Sequence, residues 1–207
     1  MPRGSRPTLT ERRAEELRLT IARVARDMFI ADGDTNATVE RICAEVGIAT
    51  RTFHRHFPIK EDVLGPLFRR SEDYMRGVLE RAAPDSDPVD VLVDMFTSEV
   101  AGRQSTDVDR KFMELIAETP QYRLRWMQWG ENLTEAITDL LSDHVDLGDD
   151  SFTRTLPGRL VVHVSRSAYM WWADAKESHG LDELIEVHRR GITLIVSSLP
   201  GLRAVSG

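Results

Sequence analysis

The sequence predicts an all-α fold of about nine helices, in which a three-helix head built on a helix-turn-helix precedes a larger helical body. Three observations carry this. Apolar residues recur at steps of three and four along nearly every segment, with no convincing two-residue alternation of the strand type. Two short amphipathic segments meet at Gly47 within the run 38–57. Charge is also divided along the chain. Residues 1–60 hold 11 Lys/Arg against 8 Asp/Glu, and residues 61–207 hold 16 against 26, within a whole-chain net charge of −7. A small basic head on an acidic body follows, although charge alone leaves a solvated basic tail as the alternative. The expected domains are 1–60, an N-terminal arm plus head, and 61–207, a body entered through a linker helix at 61–82.

The first helix is expected over residues 11–32, with Ile21, Val24, Ala25, Met28 and Phe29 on one face, and Gly33 ends it as a left-handed cap. A second begins after Thr38, a hydroxyl N-cap, buries Val39, Ile42, Cys43 and Val46, and stops at Gly47. The third runs from 49 or 50 to 56, and Phe53 and Phe57, four apart, share its inward face. The fourth is read over 60–81 with a kink at Gly65 and Pro66, because Pro66 cannot donate to the Asp62 carbonyl. Whether that kink is a hinge or a static bend stays open. Residues 83–88 form the clearest linker, and helices follow at 89–103, 108–118, 121–145, 156–178 and 182–199.

Composition narrows the setting. Cys43 is the single cysteine, which excludes an internal disulfide and reads as a small core residue in a reducing, cytoplasmic environment. No apolar run reaches the roughly 18–20 residues that span a bilayer. Residues 1–10 lack the apolar segment of a signal peptide, so no membrane partner is expected. There is no nucleophile elbow, phosphate loop, metal-spaced cluster or recognisable pair of carboxylates, so neither an enzyme nor a metal or cofactor protein is expected.

The head presents one kind of chemistry. With Phe53 and Phe57 turned inward, the third helix leaves Thr50, Arg51, Thr52, His54, Arg55 and His56 facing out, and no carboxylate among them. Hydroxyl, guanidinium and imidazole groups donate to phosphates and guanine edges, so double-stranded DNA is the expected partner. His54 and His56 do not form a metal site, because residues two apart on a helix point apart.

The run 37–64 resembles the DNA-binding head of the tetracycline-repressor (TetR) family of transcriptional regulators. The family pattern is T-V-x-x-I-A, then A-G-V-S-x-x-T-F-Y-x-H-F, then P-x-K-E-x-L. This chain offers Thr38, Val39, Ile42, Cys43, Gly47, Ile48, Thr52, Phe53, His56, Phe57, Pro58, Lys60, Glu61 and Asp62. The resemblance implies a ligand-released repressor that binds a palindromic operator as a homodimer and answers to a small apolar or amphipathic effector. An activator, or a sensor that no longer reads DNA, is the alternative. It further implies that Thr38 and Lys60 meet phosphate, that Thr52, His54 and His56 meet the DNA backbone, and that Thr50 and Arg51 read bases. Three departures stand out: His54 replaces the usual Tyr, Ala49 the usual Ser N-cap, and Ile59 another common Ser. Two side-chain caps are therefore expected to be missing.

In the body, Trp126, Trp129, Leu133, Ile137, Leu140 and His144 fall on one helical stripe. Phe112, Met113, Trp126, Met127, Trp129 and Tyr169 gather large, adaptable side chains, as a pocket for an apolar molecule requires, and the candidate pocket also takes in His163 and Arg166. Arg123, Arg125 and Arg166 either meet a carboxylate or phosphate on the effector or are simply solvated. Leu160, Val164, Ala168, Trp171 and Trp172, then Leu184, His188, Ile192, Ile195 and Leu199, line the last two helices. The resemblance implies a dimer interface drawn from Val164, Ala168, Trp171, Trp172, His188, Ile192 and Ile195. The other reading is that both stripes close the monomer's own bundle.

Overall fold

The computed structural model describes residues 8–102, 106–174 and 179–199. Among them lie ten α-helices and one 3-10 turn, with no strand. The chain divides into two compact units, Met1–Arg69 and Arg70–Gly207.

In the first unit, α1 (Leu9–Asp32) starts two residues earlier than its apolar period requires, because Thr8 and Glu11 form a capping box. The Thr8 hydroxyl accepts from the Glu11 N–H at 3.2 Å, and the Glu11 carboxylate accepts from the Thr8 N–H at 2.7 Å. α2 (Val39–Val46) is capped by Thr38, whose hydroxyl accepts from the Arg41 N–H, and it ends at Gly47 with φ 77°. That left-handed conformation lets the Gly47 N–H reach the Cys43 carbonyl and turns the chain sharply into α3 (Thr50–His56). Ile21, Ala25, Phe29, Ile42, Phe53, Phe57, Val63 and Leu64 are buried together in this unit. Each such large side chain contributes about 1.5–3 kcal/mol by leaving water.

The continuous fourth helix expected from residue 60 is replaced by two elements. A 3-10 turn at Lys60–Asp62 closes first, and α4 (Gly65–Arg81) then begins afresh. Pro66 lies in the first turn of α4, where a missing N–H leaves nothing unsatisfied, so the interruption is a helix start rather than a kink.

The second unit contains α5 (Pro88–Ala101), α6 (Thr106–Glu118), α7 (Pro120–Gln128), α8 (Leu133–Ser142), α9 (Ser151–Trp172) and α10 (Leu181–Val196). Its main core joins Leu92, Met95 and Phe96 of α5 to Leu133, Ile137 and Leu141 of α8, Val161 and Val162 of α9, and Ile192 and Val196 of α10. α8 and α9 come so close at Gly158 that a Cβ there would lie 2.6 Å from Thr138 Oγ1 and 2.7 Å from the Thr134 carbonyl oxygen. Only glycine fits that approach.

Two sequence expectations are corrected here. The single helix over 121–145 is two helices, α7 and α8, broken after Gln128 with Gly130 at φ 87°. α9 begins at Ser151 rather than 156, because the Asp150 carboxylate accepts from the Thr153 N–H at 2.9 Å and starts the helix ahead of Pro157. The expected helix ends at 103 and 178 lie outside the described residues. Among the described residues, no helix is long and apolar enough to cross a membrane, and no group of three or more His, Cys, Asp or Glu could hold a metal ion.

Candidate functional site

The short helix α3 is oriented by its two phenylalanines. Phe53 and Phe57 are buried with ring centroids 5.3 Å apart, which fixes the rotation of the helix about its axis. Thr50, Arg51, His54 and Arg55 are consequently exposed and Thr52 is half-buried. His54, Arg55 and His56 occupy the last turn, where the guanidinium of Arg55 meets the negative end of the helix dipole. Ala49 and Ile59 stand at N-caps that make no side-chain hydrogen bond.

His56 departs from the outward-facing set. Both ring nitrogens are buried without a hydrogen-bond partner. Desolvation, reinforced by the nearby Arg18 and Arg55, holds its pKa below the usual value, which favours the neutral ring. This is a correction to its reading as a fully solvent-facing donor.

Thr38 and Lys60 hold the head together from within. The Thr38 side chain caps α2 while remaining exposed. Lys60 donates to the Thr35 carbonyl at 2.8 Å and lies 5.8 Å from the centroid of Phe29. Arg41 grips both oxygens of the Asp32 carboxylate, joining the start of α2 to the end of α1 and holding the Asp32 carboxyl below its usual pKa. Helical period gave no sign of these last contacts, since they link residues 9 and 25 positions apart. Burial pushes the Cys43 thiol upward, which keeps it protonated and unreactive.

In the second unit, Met113, Trp126 and Tyr169 meet around Val100, Ala168, Trp172, Ala173 and Leu184. Tyr169 is the hub. Its ring stands edge-on to Trp126 at 6.5 Å, Trp172 at 6.2 Å and His188 at 5.3 Å, and its hydroxyl donates to the Phe96 carbonyl at 2.5 Å. Phe112 is buried on α6 beside Met113. Two pocket candidates are corrected, because His163 is exposed and Met127 is 44% exposed. Trp129 serves another purpose: its carbonyl accepts from Arg166 at 2.8 Å, and the same nitrogen of Arg166 also donates to Glu131 at 2.9 Å. This guanidinium ties the α7–α8 connection to α9.

The expected interface residues are largely spent inside the chain. Ala168, Trp172, His188 and Ile192 are buried in the unit's own core, and Val164 and Ile195 pack against it. Trp171 is half-buried and stacks on His179 with centroids 3.6 Å apart. Ala168, Trp172, His188 and Ile192 therefore close the chain's own bundle, while Val164, Trp171 and Ile195 keep part of their surface exposed. The solvent side of α9 and α10 instead carries Leu160, His163, Ser167, Arg190 and Leu194.

His188 is satisfied as a neutral ring. Its Nδ1 lies 2.8 Å from the Leu184 carbonyl, which only accepts, so Nδ1 carries the proton. Nε2 then accepts from the Ser165 hydroxyl at 3.2 Å. Burial lowers its pKa to about 4.

Comparison with known proteins places this geometry in context. The sequence model of the family described as "Bacterial regulatory proteins, tetR family" matches residues 21–65, which contain α2, α3 and the 3-10 turn. The chain is similar to the transcriptional regulator TcmR of Streptomyces glaucescens, 29% identical over 155 residues that cover 70% of this chain and 68% of that one. It is 36% identical to the transcriptional repressor LfrR of Mycolicibacterium smegmatis over 66 residues, 32% of this chain and about a third (34%) of LfrR. Among solved structures, Thermus thermophilus FadR, a TetR-family repressor in complex with lauroyl-CoA, superposes with a TM-score of 0.63 at 21% identity, covering 92% of this chain and 98% of that one.

Proposed function

Since this chain is a transcriptional regulator of the TetR family, we propose that it represses by binding a two-fold-symmetric operator as a homodimer, and that a small effector in the helical body releases it. The observation that carries the DNA reading is the exposed face of α3, where Thr50, Arg51, His54 and Arg55 stand together with no carboxylate. Arg51 and Thr50 are the base readers, Arg51 through bidentate donation to guanine. Thr38, Thr52, His54, Arg55 and Lys60 are the phosphate anchors, and the neutral His56 supports the helix from its buried side.

The second copy docks on the outward side of α9 and α10. Leu194, 71% exposed, and Leu160, 38% exposed, are its apolar anchors. The effector acts by its difference in affinity between two states of the body, one of which sets the two heads at a spacing the operator does not match. The protein works in the cytoplasm, where its DNA is.

Footprinting on DNA upstream of the protein's own gene tests this. Two protected half-sites about 10–10.5 base pairs apart, or a multiple of that, are expected. Protection of one site only, or none, contradicts the dimeric repressor.

A further inference from the structure

We infer that the body's effector is an uncharged aromatic molecule bearing a carbonyl-type oxygen, which accepts a hydrogen bond from the indole Nε1 of Trp172. This deepens the effector reading above and rests on it.

The observation is a donor without an acceptor. Trp172 is 1% exposed, and its Nε1 is buried with no hydrogen-bond partner. A buried N–H left unmade is costly, and native proteins rarely tolerate one without a use for it. None of the polar groups near Trp172 reaches this N–H. Tyr169 spends its hydroxyl proton on the Phe96 carbonyl, and Ser165, His188 and the Leu184 carbonyl form a closed chain of donor and acceptor. The remaining members of the cluster, Val100, Met113, Ala168, Ala173 and Leu184, offer no side-chain acceptor oxygen. An acceptor oxygen on an incoming molecule would satisfy it.

Charge and shape narrow the class. The side chains that pack directly around Trp172 are aliphatic and aromatic. The arginines that would meet a carboxylate bond within the chain: Arg123 to the Ala117 carbonyl, Arg125 to the Gln128 side chain, and Arg166, through one terminal nitrogen, to the Trp129 carbonyl and Glu131, with its buried Nε left without a partner. A fatty acid or other anion would lose its hydration there without gaining a cation. The edges and faces of Trp126, Tyr169 and Trp172 suit a flat ring system.

Entry is through α7. This helix has nine residues, lacks a side-chain N-cap bond, buries only Tyr122, and exposes Leu124 and Met127. Trp126, its contribution to the cluster, is half-buried and is the wall that moves.

The test uses 9-fluorenone and fluorene, flat probes that differ by one carbonyl, against the full chain without DNA. Equilibrium dialysis should show about tenfold tighter binding of fluorenone, the increment of one buried hydrogen bond. In Trp172→Phe, which keeps an aromatic ring of smaller size but lacks the donor, that preference should vanish while fluorene binding persists. In the wild type, the Trp172 indole proton should move downfield in a nitrogen-15 NMR spectrum with fluorenone and not with fluorene. Equal binding of the two probes, binding of neither, a preference retained by Trp172→Phe, or an indole proton unmoved by fluorenone overturns the proposal. The release reading is scored separately on the operator: fluorenone held through Trp172 that leaves operator affinity unchanged refutes release and leaves this site standing.

Discussion

Lys60 donates its ammonium to the backbone carbonyl of Thr35 at 2.8 Å, so a residue read as a phosphate anchor is also a strut inside the DNA-reading head. The bond crosses 25 positions and ties the 3-10 turn to the loop between α1 and α2. Lys60→Met removes the donor and keeps most of the stem. Denaturant unfolding should show a loss of about 1.5–3 kcal/mol, the contribution of a hydrogen bond from a charged group. DNA affinity should fall alike for all sequences, with the logarithmic salt slope smaller by about 1.8 for the two phosphate contacts that the dimer loses. A variant as stable as the wild type, with an unchanged slope, contradicts both roles.

The missing cap on α3 can be restored. Ala49 has the extended backbone of an N-cap, φ −74° and ψ 147°, and no side-chain bond to the helix it starts. Ala49→Ser should stabilise the head by about 0.5–2 kcal/mol, read as a higher urea midpoint at unchanged m. An unchanged or lower midpoint means that α3 gains nothing from the hydroxyl.

His188 makes stability depend on pH in a known direction. Its pKa is about 4 in the fold against an ordinary value of 6.5, so the unfolded chain binds a proton between those values and the folded chain does not. Stability from this group is therefore complete above pH 6.5 and declines as pH falls towards 4. The loss amounts to about 3 kcal/mol over that window. Urea unfolding at pH 7.5 and pH 5 should show His188→Phe losing less stability on acidification than the wild type, although it starts lower because Ser165 and the Leu184 carbonyl lose their partner. Parallel pH curves for the two proteins contradict the assignment.

The head was legible in the sequence because its decisive features are local. A glycine at 47 turns the chain, a threonine at 38 caps a helix, and two phenylalanines four apart orient the next one, all within twenty residues. The body was less legible for two physical reasons. The stripe from Trp126 to His144 keeps helical period across a break, and period does not register that Gly130 adopts φ 87°, which an L residue resists by about 1–2 kcal/mol. The last two helices are apolar on more than one side, so period could not tell which side meets the chain's own core. Val161, Val162 and Trp172 face inward, while Leu160 and Leu194 remain outside. The Lys60–Thr35 and Arg166–Trp129 bonds link side chains to distant backbone, where residue spacing carries no signal.

The central claim is that α3 reads DNA sequence through Arg51. Equilibrium binding of the wild type and Arg51→Ala should be measured on the footprinted operator and on a scrambled duplex of equal composition, at one fixed salt concentration. The account predicts that the wild type prefers the operator by at least about a thousandfold. Arg51→Ala should lose discrimination by about five- to a hundredfold per half-site, equivalent to about 1–3 kcal/mol, while binding the scrambled duplex nearly as the wild type does. Equal wild-type affinity for both duplexes, or a full preference retained by Arg51→Ala, would contradict it.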